Sequence, residues 1–143
     1  MDSVLTVPPP RNEPVRGYAP GTPERADLRR RLAELADERF ELTMTIDGRP
    51  RLGRGDPFDV VAPHRHRQVL GSGRLATGAD AAEAVAAARR AAPGWRELPY
   101  AERAAVFLRA ADLLAGPWRD SLNAATMLGQ SKTVHQAEID SAA

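Results

Sequence analysis

The 143-residue sequence contains no cysteine and a single lysine, Lys132. Without cysteine, the chain can form no disulfide, no thiolate metal site and no cysteine nucleophile. Aromatic residues are only 5% of the chain, and no run approaches the ~18 consecutive apolar residues of a membrane span. The formal net charge of +1 gives no electrostatic reason to expect nucleic acid or a membrane surface as a partner.

The rest of the composition is that of a soluble globular protein of about one domain. Hydrophobic residues make up 43% of the sequence and charged residues 27%. The N-terminus lacks the basic residues of a signal peptide: Asp2 follows the first methionine, and Pro8 ends the short apolar run. We therefore expect a cytoplasmic location, with no nucleic acid and no membrane among the partners.

Residues 1–21 are predicted to form an extended N-terminal arm, because prolines and Gly21 break any helix there. Such an arm needs a surface to lie against. A helix is predicted next, with Thr22 as its N-cap, Pro23 at its first position and an end near Arg39. Its apolar stripe consists of leucines spaced by four and three residues, namely Leu28, Leu32 and Leu35.

A small antiparallel β layer is predicted after this helix. Residues 41–46 alternate between apolar and polar side chains, and Asp47 and Gly48 suit a tight hairpin turn followed by a short returning strand. Residues 58–62 and 68–75 are predicted as further strands. We expect Gly71, Ser72 and Gly73 to interrupt the last strand with a bulge or bend.

Three to four helices are predicted from residue 77 onward. Thr77 and Asp80 have capping-box spacing, and this helix should run to Pro93. Its buried face is predicted to be Ala81, Val85, Ala88 and Ala92. Pro99 should open the second helix, and Gly116 and Pro117 should end it. Its buried face is predicted to be Ala101, Ala104, Ala105, Leu108, Ala111 and Leu114.

The third helix should reach Gly129 as its C-cap, and it carries Trp118, Leu122, Ala125 and Met127. Thr133 and Gln136 again have capping-box spacing and should open the last helix. Glu138 and Asp140 would lie in the final turn of that helix, where the helix dipole disfavours anions, and no stop signal follows. We therefore expect the chain to be cut in mid-helix.

Four sequence patterns are candidates for binding sites. Residues 129–133 have a poor likeness to a phosphate-binding loop, and a turn between two helices explains them better. Residues 71–73 lack the third glycine of a dinucleotide fingerprint. Residues 64–67 (His-Arg-His-Arg) lack a third metal ligand and favour a solvated turn. His135 and Glu138 share a helix face and could bind a metal only with partners from elsewhere, so a structural role is favoured. No catalytic, cofactor-binding or metal residue is assigned.

Several stretches of the sequence resemble one family, the 1-pyrroline-5-carboxylate (L-glutamate γ-semialdehyde) dehydrogenases of the aldehyde dehydrogenase superfamily. The most specific stretch is residues 123–140, with the sequence Asn-Ala-Ala-Thr-Met-Leu-Gly-Gln-Ser-Lys-Thr-Val-His-Gln-Ala-Glu-Ile-Asp. The other similar stretches are residues 12–15, 18–25, 63–71, 95–96 and 102–114. Together they cover nearly the whole chain from residue 12 onward.

The resemblance implies an α/β fold of the aldehyde dehydrogenase type, of which this chain would be the N-terminal portion. Residues 1–21 would be the arm, and residues 22–143 the leading part of an NAD-binding domain. The whole enzyme would oxidise L-glutamate γ-semialdehyde to glutamate in proline catabolism, with NAD as cofactor, a small-molecule substrate and a homo-oligomeric assembly. Its catalytic cysteine and its NAD contacts would lie downstream of this chain.

Two hypotheses follow from the resemblance. In the first, the chain is part of such an enzyme, inactive alone and only marginally folded, because its helices leave apolar stripes uncovered. In the second, it is a non-catalytic helical module, derived from the enzyme, that binds a partner. The uncapped last helix favours the first hypothesis.

Overall fold

The computed structural model describes residue 9 and residues 12–141, so part of the predicted arm (residues 1–8, 10 and 11) lies outside the described residues, as do residues 142 and 143. A helix comes first, five short strands follow, and four helices complete the described chain. The elements are α1 (Pro23–Asp37), β1 (Phe40–Leu42), β2 (Met44–Ile46), β3 (Arg49–Arg51), β4 (Pro57–Ala62), β5 (Arg65–Arg74), α2 (Gly78–Glu97), α3 (Tyr100–Ala115), α4 (Arg119–Gln130) and α5 (Val134–Ser141).

Residues 12–19 form neither helix nor strand and lead into a turn before α1. Helix α1 begins at Pro23 as predicted and ends at Asp37, close to the expected end. Thr22 is the N-cap residue, but its hydroxyl donates to the carbonyl of Ala19 at 2.9 Å and makes no cap hydrogen bond. Leu28 and Leu35 are buried, which confirms the predicted apolar stripe.

The strand predicted over residues 41–46 is wrong, because the chain divides at Thr43 into two strands that join different sheets. Strand β1 pairs with β5 in parallel, in a sheet of order β1-β5-β4, whereas β2 pairs antiparallel with β3. The sequence predicted an antiparallel layer, but one of its strand pairs, β1 with β5, is parallel. An alternating pattern shows that residues are extended, but it does not select the partner strand.

The hairpin between β2 and β3 is confirmed. Asp47 and Gly48 have φ angles of 56° and 72°, and Ile46 pairs with Arg49 across the turn. Two consecutive positive φ angles are what a two-residue hairpin loop requires. The returning strand β3 is only three residues long, as the sequence predicted.

Strand β5 is longer than predicted, since it begins at Arg65 and continues through Gly71, Ser72 and Gly73. Its pairing with β4 is irregular beside Gly71, because Val60 pairs with Gly71 whereas Val61 pairs with Val69. The expected solvated turn is correspondingly shorter: it keeps His64, while residues 65–67 belong to the strand. The glycines are needed for close packing. A Cβ at Gly71 would lie 2.6 Å from the Phe40 carbonyl oxygen, and one at Gly73 would lie 2.9 Å from the Phe58 ring.

Helix α2 opens with the predicted capping box of Thr77 and Asp80, but it continues through Pro93 to Glu97. A proline removes only one backbone donor, so a helix can continue past it at a cost. The predicted buried face is wrong, because Ala81, Val85 and Ala88 are exposed and Ala92 is only half-buried. Asp80, Ala84 and Ala87 are the more buried positions of α2.

Helix α3 begins after Pro99 and ends before Gly116, as predicted, but none of its residues is buried. The predicted face is wrong for the described chain: Leu108 is 65% exposed and Leu114 is 45% exposed. This apolar pattern marks a face that the described residues do not cover. In α4 the buried residues are Arg119, Asn123 and Ala124. Of the apolar residues named from the sequence, Leu122 and Met127 are half-buried, whereas Trp118 and Ala125 are exposed.

The turn after α4 differs from its prediction as well. Gly129 lies within the last turn of α4, and the left-handed C-cap position belongs to Ser131, with φ of 57°. Helix α5 opens with the predicted capping box, in which Gln136 accepts from the Thr133 backbone at 3.0 Å. The core joins α1 and α4 through Leu28, Leu35 and Ala124. Among the described helices, none is long and apolar enough to cross a membrane.

Candidate functional site

The most unusual feature of the interior is a cluster of buried polar side chains between α4 and α5. Arg119 is 2% exposed, and Asn123 and Glu138 are fully buried. Arg119 and Asn123 are four residues apart on α4, which places them on one face of the helix, and Glu138 reaches them from α5. We call these three residues together with Tyr18 the Glu138 cluster.

Both oxygens of the Glu138 carboxylate are used. Oε1 accepts from the backbone N–H of Arg16 at 2.8 Å and from the Arg119 guanidinium. Oε2 accepts from the Tyr18 hydroxyl and from the Asn123 side-chain amide, each at 2.7 Å. Four donors from the arm and from α4 thus meet one carboxylate of α5.

Arg119 extends the cluster to a second point on the arm. Its Nη2 also donates to the Pro14 carbonyl at 2.6 Å, while Nη1 donates to the Ala115 carbonyl at 3.5 Å. The Asn123 amide further donates to the Tyr18 hydroxyl at 3.0 Å. The arm predicted from the sequence therefore lies against α4 and α5 over its described residues, held at positions 14, 16 and 18.

The electrostatics of the cluster follow from these contacts. Burial alone would raise the pKa of Glu138, but the hydrogen bonds from Arg119, Arg16, Tyr18 and Asn123 outweigh it and lower the pKa to about 2. Burial and the hydrogen bond to the Glu138 carboxylate raise the pKa of Tyr18 to about 12. The same carboxylate raises the pKa of Arg119 further.

These pKa values limit the chemistry of the cluster. At neutral pH the carboxylate is ionised and the phenol is protonated, and both oxygens of the carboxylate already accept hydrogen bonds. A general base needs a pKa near the working pH and a free site for the incoming proton. The Glu138 cluster fulfils neither condition. Its role is therefore structural: it holds the arm, α4 and α5 together.

A second buried carboxylate, Asp80, fastens the loop after β3 to the start of α2. Its Oδ2 accepts from the Thr77 backbone N–H and hydroxyl, both at 2.8 Å, and from the Arg54 backbone N–H at 3.2 Å. The Thr77 hydrogen bonds are the main reason that the pKa of Asp80 is lowered to about 2. Arg54 and Arg51 also pair with Glu83 at 2.7 Å and 2.5 Å.

The structure joins two of the sequence patterns that were weighed as sites. His64, in the turn before β5, places its Nδ1 2.8 Å from the Ser131 hydroxyl oxygen in the turn after α4. Lys132 pairs with Asp140 across the same turn. Residues 64–67 and 129–133 are therefore neighbours, and the contact between His64 and Ser131 holds the two turns together.

His135 and Glu138 lie in different surroundings although they share a helix, since His135 is exposed and Glu138 is fully buried. Among the described residues, no three His, Cys, Asp or Glu side chains are grouped so that they could hold a metal ion.

The stretch around Gly71 and Gly73 does not form a phosphate cradle. Gly71 and Gly73 lie in the second half of β5, and the space beside them is occupied by Phe40 and Phe58. A phosphate cradle needs open backbone N–H groups at a strand-to-helix turn, which this stretch does not provide.

Comparison with known proteins identifies the family to which this protein belongs. Residues 52–143 match the model of the aldehyde dehydrogenase family, and the chain belongs to this family. The delta-1-pyrroline-5-carboxylate dehydrogenase of Agaricus bisporus is 42% identical over 142 residues, which is 99% of this chain and 26% of that protein. The human mitochondrial delta-1-pyrroline-5-carboxylate dehydrogenase is 39% identical over 132 residues, or 92% of this chain and 23% of that protein.

A solved structure extends this comparison. The delta-pyrroline-5-carboxylate dehydrogenase from Mycobacterium tuberculosis has 60% sequence identity and a TM-score of 0.95, and the match covers 99% of this chain and 26% of that chain. The same protein has also been solved bound with NAD. The described fold is thus the N-terminal portion of the aldehyde dehydrogenase fold. The chain spans about a quarter of the length of the relatives that it matches.

Sequence reasoning missed most of the Glu138 cluster. Tyr18, Arg119 and Asn123 were not singled out, and Glu138 was considered only as a partner of His135 or as an anion at a helix end. One signal was present: Arg119 and Asn123 are polar residues four apart, on the face of α4 that also carries buried Ala124. The contact from Tyr18 to Glu138 joins residues 120 positions apart, and no local pattern encodes it.

Proposed function

We propose that this chain is the N-terminal part of an NAD-dependent dehydrogenase that oxidises L-glutamate γ-semialdehyde, in equilibrium with 1-pyrroline-5-carboxylate, to glutamate in proline catabolism. The observation that supports it best is the similarity to the Mycobacterium tuberculosis enzyme, at 60% identity over 99% of this chain. A relative at that identity over every described element supports the same substrate class more strongly than the family match alone does.

Within that enzyme, residues 1–21 are proposed to be the arm and residues 22–143 the leading part of the NAD-binding domain. We propose that NAD and the catalytic cysteine are held by later parts of the polypeptide, since this sequence has no cysteine and Gly71 and Gly73 lie within a strand and not in a phosphate-binding turn. The residues described here would then have a supporting task. The Glu138 cluster fixes the arm to α4 and α5, and the Asp80 carboxylate fixes the loop after β3 to α2.

The test is an assay of NADH formation by the whole protein that contains this segment, with 1-pyrroline-5-carboxylate as substrate. A short unbranched aldehyde without an amino acid group serves as the control substrate. We expect a much higher kcat/KM with 1-pyrroline-5-carboxylate, because binding energy from the amino acid group contributes to catalysis. Comparable or higher activity with the control aldehyde would leave the family intact and overturn the proposed substrate.

A second candidate function is that of a non-catalytic interaction module, and the uncovered face of α3 favours it. Phe107 and Leu108 are 68% and 65% exposed, and Trp95 stacks edge-on against Phe107 with ring centroids 6.4 Å apart. If the 143-residue chain is made alone, this candidate requires a cooperatively folded protein that binds a partner without forming NADH. An aggregated or unfolded chain would count against it.

Assembly and compartment are also proposals. We propose a homo-oligomer, which light scattering of the whole protein tests, and a monomeric mass would contradict it. We propose a cytoplasmic location, which cell fractionation tests. Relatives named as mitochondrial exist, the human protein among them, so recovery in an organelle fraction would correct this proposal.

A further inference from the structure

Residues 12–18 of the arm are attached mainly by polar contacts. Their anchors are the Pro14 carbonyl, the Arg16 N–H and the Tyr18 hydroxyl, and all three bind Arg119 or Glu138. Residues 12–17 are exposed, and Val15 is 54% exposed. Within residues 12–18, only Tyr18 packs against the core, and it is partly buried. These seven residues therefore have little apolar area to hold them if the polar contacts are lost.

The contacts beneath the arm do not depend on it. The Arg119–Glu138 ion pair and the hydrogen bond from Asn123 to Glu138 join α4 to α5 directly. If the arm lifted, the carboxylate would lose the Arg16 and Tyr18 donors and keep the other two. Helices α4 and α5 would stay joined, so residues 12–18 can leave without unfolding their support.

Two glycines near Tyr18 also suit such a movement. Gly17 has no atom within 4 Å of a Cβ added to it, and Gly21 has a φ of 85° that favours glycine. Arg25 of α1 donates to the Tyr18 carbonyl at 3.2 Å and marks the point at which the arm joins the helix.

We propose that residues 12–18 form a releasable strap, and that the Glu138 carboxylate is the positioning group that closes it over α4 and α5. With the strap closed, the Arg119–Glu138 ion pair is shielded from water. With the strap open, that pair is exposed while the helices stay in place. This inference concerns a movement of the arm and does not depend on the proposed substrate.

The test uses trypsin and amide hydrogen exchange on the whole protein that contains this segment. Trypsin cuts after arginine, so the Arg16–Gly17 bond reports an open strap, and the exchange of α4 amides reports its support. We expect Tyr18→Phe to speed cleavage at Arg16 by about tenfold, since it removes one hydrogen bond to a charged group. Exchange in α4 should not change. Glu138→Gln should speed cleavage further.

Tyr100→Phe is the matched control, because Tyr100 is 65% exposed and distant from the arm in sequence. The rate of cleavage at Arg16 in this variant should equal that in the unchanged protein. If Glu138→Gln does not fold, Tyr18→Phe carries the test alone. Equal cleavage rates at Arg16 in the unchanged protein and in Tyr18→Phe would overturn the proposal. An acceleration of α4 exchange as large as that of the arm would also overturn it, because the arm would then not open by itself.

Discussion

Arg119 and Glu138 form an ion pair between α4 and α5 in which the residues are only 2% and 0% exposed. The pair is stable in this interior because every remaining site of the carboxylate is occupied, by Tyr18, Asn123 and the backbone of Arg16. A buried ion pair of this kind fixes geometry more than it adds stability, and removing one member leaves a buried charge.

The first prediction concerns that charge. Arg119→Met should destabilise the protein by about 3–5 kcal/mol, because Glu138 would remain buried without its cation. Urea unfolding measures the change. Lys132→Met is the matched control: Lys132 also pairs with a carboxylate, Asp140, but at the surface, so the loss should be about 1 kcal/mol or less. Equal losses in the two variants would contradict the importance of burial.

A second prediction concerns acid. The pKa of Glu138 is about 2 in the folded protein, against 4.5 for the free group. Because the folded pKa is lowered, the contribution of Glu138 is complete above pH 4.5 and is lost as the pH falls towards 2. Unfolding free energies measured across this range should fall more steeply in the unchanged protein than in Glu138→Gln. Parallel curves would contradict the lowered pKa.

Alkaline pH should act through Tyr18 in the opposite direction. Its pKa is raised from 10.0 to about 12, so its contribution is complete below pH 10.0 and is lost as the pH rises through 12. Tyr18→Phe removes the titrating phenol and should flatten the stability curve in this range. A loss of the same size in Tyr18→Phe would assign the effect to another group.

How much of this could be predicted from the sequence depends on distance along the chain. The capping box of Thr77 and Asp80 and the turn at Asp47 and Gly48 were predicted because each is encoded within four residues. The parallel pairing of Phe40 with Gly71 was not, since it joins residues far apart and alternation alone does not identify the partner. The cluster around Glu138 was not predicted for the same reason, since Tyr18 and Glu138 also lie far apart in the sequence.

The predicted helix faces failed for another reason. Val85 and Leu108 stand on regular apolar stripes, yet they are 58% and 65% exposed. An apolar stripe shows that one face of a helix is apolar. It does not show that the described residues pack against that face. Asp80 shows the converse, because it is a charged capping residue and yet is only 1% exposed.

A fourth prediction uses two glycines with opposite surroundings. A Cβ at Gly71 would lie 2.6 Å from the Phe40 backbone oxygen, so Gly71→Ala should destabilise the protein by about 1–3 kcal/mol. Gly94 lies within α2 with no atom near an added Cβ, so Gly94→Ala should stabilise the protein by about 0.5–1 kcal/mol. Thermal unfolding of both variants measures the difference, and shifts of the same sign would contradict the packing of β1 on β5.

A fifth prediction concerns the 143-residue chain by itself. Because the face of α3 with Val106, Phe107 and Leu108 is uncovered, the isolated chain should bind an apolar dye, tend to aggregate and form no NADH. Dye fluorescence and light scattering measure this. A soluble monomer that melts cooperatively and binds no dye would contradict it.

We propose that the whole protein that contains this chain oxidises L-glutamate γ-semialdehyde with NAD. The most direct test is the rate of NADH formation by the whole purified protein with 1-pyrroline-5-carboxylate, measured beside a short unbranched aldehyde. The account predicts NADH formation that depends on NAD, with a clear preference for 1-pyrroline-5-carboxylate in kcat/KM. A folded whole protein that forms no NADH from 1-pyrroline-5-carboxylate would contradict it.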